Sequence, residues 1–156
     1  MRLKLLAAAA ATLLASGCAS IVNETSMPMR VDTVKADGTE VSGAECKMTN
    51  DFGTYSGKSG AQTQVHRSSK DLDIVCTDPN NPDAKARAIS RANAGLAGNI
   101  LIGGGIGAII DHTKGTAYTY PTWVQIMFGK SLVVDRTNEK DGKAVVGVEP
   151  EKTASK

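Results

Sequence analysis

GAECKMT, residues 43–49, and DLDIVC, residues 71–76, carry the pattern that decides the fold. In the first, Ala44, Cys46 and Met48 share one face; Glu45, Lys47 and Thr49 share the other. In the second, Leu72, Ile74 and Cys76 oppose Asp71 and Asp73. A period of two marks a strand with one buried face. MRVDTV repeats it, with Met29, Val31 and Thr33 against Arg30 and Asp32. So does the stretch where Val124, Ile126 and Phe128 alternate with Trp123, Gln125 and Met127. Turn clusters separate the runs: Ala36-Asp37-Gly38, Asn50-Asp51-Phe52-Gly53, Ser56 to Gly60, and Asp78 to Asp83 with Pro79 and Pro82. Phe128-Gly129-Lys130-Ser131 reads as a hairpin turn into Leu132-Val133-Val134. The expected fold is mainly β: a small antiparallel β-sandwich over residues 28–134. Residues 135–156 hold ten charges and no aromatic, which predicts a solvated, disordered tail with Ala144 to Val148 as its one candidate edge strand.

The N-terminus has a separate job. Arg2 and Lys4 precede the apolar run LLAAAAATLLA, and small residues follow it. This is the layout of a secretory signal. The apolar run is too short to span a bilayer. LASGC, with Ala15, Ser16 and Gly17 before Cys18, resembles the lipobox of bacterial lipoproteins, with alanine where leucine is commoner. The resemblance implies cleavage of residues 1–17, acylation of Cys18 and a lipidated tether over 18–27. Ala19 stands where an aspartate would favour inner-membrane retention, so the resemblance implies the outer membrane, on its periplasmic face. Each buried methylene contributes roughly 0.8 kcal/mol, so several acyl chains on one residue anchor firmly.

Cleavage changes the charge balance. The full chain has 18 basic and 16 acidic residues; residues 1–17 remove two basic ones, leaving 16 against 16. The remaining chain carries no basic excess to attract nucleic acid. Beyond the inner membrane the compartment is oxidising, and Cys46 and Cys76 both sit on apolar strand faces, so a disulfide between them is expected. It closes a loop of about 30 residues, worth roughly 3.5 kcal/mol on the chain-entropy estimate.

The runs GAECKMTNDFG and TQVHRSSKDLDIVC resemble, in layout, the small PEGA-type sandwich modules. They are similar, over roughly residues 19–128, to a group of uncharacterised proteobacterial lipoproteins with cysteines in those two strands. The Pro-Glu-Gly-Ala tetrad itself is absent. The resemblance implies no established activity.

One segment departs from the β pattern. GLAGNILIGGGIGAIID, residues 95–111, is apolar yet contains six glycines. As a helix these would cost about 5 kcal/mol relative to alanine. Gly95, Asn99, Gly103 and Gly107 recur every four residues and form a packing stripe on one helical face. The segment resembles the glycine-zipper stretches of other envelope lipoproteins. As a helix it would run about 24 Å, against about 30 Å of hydrocarbon. Three readings stay open: a helix or loop packed on the sandwich, a short membrane-associated helix, or a self-association stripe. Gly103 to Ala108 also fits the dinucleotide fingerprint, but no crossover helix or following acid supports it.

The chemical inventory is thin. His66 and His112 are the only histidines; His66 is expected to face solvent, and Asp111 beside His112 to end the apolar segment. Neither supplies a base paired to a nucleophile, and no spacing of ligands suggests a metal or cofactor. Tyr118, Tyr120 and Trp123 cluster within six residues, either as core or as a membrane-interface belt. The sequence therefore predicts a non-enzymatic, lipid-anchored envelope module with a protein or cell-wall partner. The alternative is a membrane-associated oligomer built through residues 95–107.

Overall fold

The computed structural model describes residues 25–92 and 115–150. Cys18 and the Gly95, Asn99, Gly103, Gly107 stripe lie outside the described residues. The chain is mainly β, in two five-stranded sheets and one short ribbon.

The first sheet is built on β1 (Ser26–Val34), a nine-residue strand. One edge of β1 pairs in antiparallel fashion with β5 (Gln62–His66) along its first half and with β2 (Glu40–Val41) near its end. The other edge pairs in parallel with β10 (Trp123–Met127), which pairs in parallel with β12 (Val145–Val146). The second sheet runs in the order β11 (Ser131–Val134), β7 (Asn81–Ala88), β6 (Leu72–Asp78), β3 (Glu45–Asn50), β4 (Gly53–Lys58). β8 (Arg91–Ala92) and β9 (Tyr118–Thr119) form the ribbon.

Alternation places the core as the sequence predicts. Met27, Met29 and Val31 from β1, with Val124 and Ile126 from β10, face Cys46, Met48, Leu72, Ile74 and Cys76 across one shared apolar cluster. The Cys46–Cys76 disulfide is present, with a Cα–Cα distance of 4.0 Å. The two residues stand directly opposite each other on β3 and β6. The bond is thus a rung within one sheet, not a bridge between sheets.

Four features differ from the sequence reading. Three strand pairs, β1–β10, β10–β12 and β11–β7, are parallel, so the sandwich is mixed. Phe128 to Ser131 does reverse the chain, with Lys130 N donating to Met127 O at 3.3 Å. Yet β10 and β11 pair in different sheets, so the turn is an arch between layers and not a hairpin. Ser56 to Lys58 belong to β4, where Gly57 lets the strand lie against Thr63 of β5. Finally, the segment expected to be a disordered tail is folded as far as residue 150. Val145 is buried against the core, and Val148 forms a bridge to Val133. This stretch therefore contacts the edge strands of both sheets. The open edges of β10 and β11 leave backbone groups to satisfy, and this outweighs the charged composition.

Truncation separates buried from exposed valines here. Val145→Ala is expected to cost about 2 kcal/mol of stability in urea denaturation, as for other core truncations. Val146→Ala, at a residue 61% exposed, should leave the midpoint within about 0.5 kcal/mol of the parent. Equal effects would mean that residues 143–150 do not seal the sandwich.

Candidate functional site

The end of the sandwich where β1 begins gathers the chemistry that the strands do not use for packing. Three chain exits meet there. Thr25, the first described residue, accepts a hydrogen bond from Arg67 N at 2.8 Å. Ala92 and Tyr118 pair across the β8–β9 ribbon, so the chain leaves the described residues and returns to them at one place. Gly115, where it returns, lies against Arg67: a Cβ there would sit 2.1 Å from the Arg67 carbonyl oxygen. Its φ of +76° also lies in the left-handed region. Both reasons require glycine.

Asn50 organises the turn at this end. Its Nδ2 donates to His66 O at 2.8 Å and to Tyr120 Oη at 3.2 Å. Its Oδ1 accepts from Phe52 N at 2.9 Å. Tyr120 is fully buried, and its hydroxyl donates to Lys70 O at 2.7 Å. Burial pushes its phenol above the usual range, which keeps it a donor. Its backbone N also donates to Met27 Sδ at 3.4 Å. The core reading of this aromatic cluster therefore holds for Tyr120, whereas Tyr118 and Trp123 are half-buried.

The Asn50 clamp presents Phe52 at the tip of the β3–β4 turn. Phe52 is 46% exposed, and its ring stacks on His66 with centroids 4.0 Å apart. His66 is consequently half-buried, not a free solvent-facing side chain. Asp51, His66 and Ser68 lie close together, but they do not form a proton relay. Ser68 Oγ donates to Asp51 and accepts from Lys70 N, while His66 Nδ1 meets the Arg67 carbonyl at 2.7 Å. No contact joins the imidazole to the hydroxyl among the described residues, so this geometry does not activate Ser68 as a nucleophile. No cluster of potential metal ligands occurs among the described residues.

Charge ties the ribbon to the sandwich. Arg91 donates to Asp135 just beyond β11, with Nε to Oδ1 at 3.1 Å. This bond, above all, holds the Asp135 carboxyl down at about 2. Arg67 and Lys70 make no ion pair among the described residues, and the Arg67 Nε is buried without an acceptor. On the outer face of the first sheet, Asp32 accepts from Trp123 Nε1 at 2.7 Å and Arg30 Nε at 2.8 Å, with Arg30 stacked over the indole. That group satisfies its own charge.

Open grooves lie elsewhere. One is lined by Val34, Gln125, Met127, Lys130 and Val146; another crosses Val75, Lys85, Arg87 and Val133. The second also holds Asp73 and Ser131, but Asp73 accepts from Arg87 Nε at 3.0 Å and no hydrogen bond joins Lys85 to the Ser131 hydroxyl among the described residues. No helix among the described residues is long and apolar enough to cross a membrane. No family model, curated protein or solved structure matches the chain.

Sequence reasoning quoted Phe52 only as a turn residue and did not find the Asn50 clamp. Asn-Asp-Phe-Gly does carry a signal: a large aromatic at a turn position that ordinarily takes polar residues.

Two measurements probe this end. Gly115→Ala is expected to lower stability by about 2–3 kcal/mol, from positive φ and from the Arg67 contact. Restoration to near-parent stability would mean that the close approach is absent. Asp135 has a lowered pKa, so its contribution is complete above about pH 4 and fades as pH falls toward 2. Acid-unfolding curves of Asp135→Asn should lose that portion of the slope while retaining the rest.

Proposed function

We propose that this chain is a lipid-anchored lipoprotein of the bacterial outer membrane, facing the periplasm, and that it serves as a non-enzymatic binding or structural module. Cys18 is the acylated residue. The observation that carries the reading is the convergence at Arg67 of the tether end, Thr25, and of the re-entry point Gly115. An extended chain advances at most about 3.6 Å per residue, so Thr25 stays within about 25 Å of acyl chains on Cys18. Ala92, the last described residue before the apolar segment 95–111, lies at the same end of the fold. An acyl anchor and an apolar segment are the two parts of this chain suited to lipid, and the described residues that adjoin each stand at one end. The disulfide accords with an oxidising compartment. An envelope protein or cell-wall component is the partner class, and nucleic acid is not.

The β8–β9 ribbon favours a second reading. It pairs Ala92 with Tyr118, so the described residues on either side of the segment stand together. In that reading, copies associate in the membrane through Gly95, Asn99, Gly103 and Gly107. Gly103→Leu then lowers the oligomer mass in detergent without changing membrane recovery.

The primary test is mass spectrometry and fractionation of the cell-derived protein. The parent should recover in the membrane fraction with Cys18 as its acylated first residue. Cys18→Ser should be at least tenfold depleted in acylated product and lose the mature N-terminus. An unacylated parent with residues 1–17 intact would remove the assignment.

A further inference from the structure

The large apolar side chains exposed among the described residues are Phe52, Val146 and Val148. The two valines lie on the strap that closes the sandwich edge. Phe52 stands apart at the end where Thr25, Ala92 and Gly115 emerge. It is not a loose side chain. The Asn50 carboxamide fixes its backbone, and His66 supports one face of its ring at 4.0 Å. This rigidity covers one part of Phe52 against His66 and leaves nearly half of it in water, where that area contributes nothing. It suits a ring that enters an interface, since the ordering cost is met before binding.

The charges nearby point the same way. Lys70 is exposed and Arg67 half-buried, and neither pairs with a carboxylate among the described residues. Both lie on the loop joining β5 to β6, beside the Phe52–His66 stack. Asp51 beside Phe52 and Asp71 beside Lys70 balance these two cations, so the tip carries an aromatic among charges of both signs, a composition suited to zwitterionic lipid headgroups.

We propose that this end of the sandwich docks on the bilayer surface, with the Phe52 ring in the interfacial layer and Arg67 and Lys70 toward lipid phosphates. The proposal rests on the lipid anchoring above and adds an orientation to it: β1 stands away from the membrane, and the β6–β7 turn at Pro79–Asn80 is its far end. The occupant is a lipid surface because the tether ends here and is short. A second copy of the chain would need no such convergence.

The test uses the full cell-derived chain, reconstituted into phosphatidylcholine vesicles with or without brominated acyl chains, which quench tryptophan on contact. Phe52→Trp places a reporter at the tip, and Ser69→Trp, at an exposed neighbour, provides a second one should the first disturb the turn. Asn80→Trp marks the far end, and Trp123 contributes the same background to all. Emission from the Phe52→Trp or Ser69→Trp chain should fall about twofold more in brominated vesicles than that of the parent, while Asn80→Trp should match the parent. If the chain floats with vesicles yet neither near reporter is quenched, docking is overturned and anchoring stands. Equal quenching at Asn80→Trp also overturns it, since the fold would have no fixed orientation. Concentration-dependent shielding of Phe52→Trp in detergent without vesicles would assign the tip to a second copy. If the chain does not float at all, anchoring and docking fall together.

Discussion

The pairing of Cys46 with Cys76 fixes the register on which the rest of the sandwich depends. Strand side chains alternate with a period of two, so a slip of one residue would turn Met48, Ile74 and Leu72 toward water. A covalent rung between directly opposed residues forbids that slip. It matters here because the neighbouring strand offers little grip: β7 contributes Ala84, Ala86 and Ala88 to the core, the first of them opposite Cys76. Three methyl groups bury far less area than three leucines would. With register set at β3–β6, β7 follows on one side and presents its edge to β11. Because β11 is joined to β10 by the arch at Gly129, the same constraint reaches the first sheet.

The two ends of the sandwich are built differently. At the far end, short turns such as Lys35–Thr39 and Pro79–Asn80 close strands on themselves, and the long-range links of the Phe128–Ser131 arch are made by backbone, as in Phe128 N to Val34 O and Gly129 N to Asp83 O. At the near end, the side chains of Asn50, Tyr120 and Ser90 link four separate chain segments, around residues 50, 66–70, 90 and 120. Tyr120 alone joins residues 50 and 70 positions apart from it to one hydroxyl. Such cross-linking holds loops that sequence alone would leave mobile. It ties the chain at Thr25, Ala92 and Gly115 into both sheets through a cross-linked platform.

Much of the fold was legible because large apolar residues alternated cleanly in 29–34, 43–49, 71–76 and 123–128. What escaped did so for identifiable reasons. The alternation in β7 is carried by alanines, whose weak hydrophobicity hides the pattern. The turn at Phe128–Ser131 has correct local chemistry, but turn chemistry does not say which sheet the next strand joins. That is decided by the open edge of β7, more than 40 residues earlier. The strap at 143–150 pairs through Val145 and Val146 on one sheet and Val148 on the other, too few on either to show a period, within a charged stretch. Of the candidate site, the disulfide was legible from two independent alternations. The Phe52 platform was not, since its supports lie at residues 50, 66 and 120 and meet only in the fold. Residues 95–111 announce themselves by composition, but composition left their partner open, and they lie outside the described residues.

The strength of the proposed contact explains why the tip is so small. Transferring one phenyl side chain from water contributes about 1.5–3 kcal/mol, even when burial is complete. Alone, that would give an affinity too weak to hold a protein at a membrane. Beside the proposed acyl anchor it would act differently, because a short tether would keep the tip at an effective concentration on the order of millimolar or above at the bilayer surface. A weak contact would then select orientation without adding appreciably to residence, which the acyl chains would secure. A larger apolar patch would bind no more usefully and would invite aggregation. Under this proposal one rigid aromatic beside Arg67 and Lys70 is sufficient to orient a small sandwich on lipid.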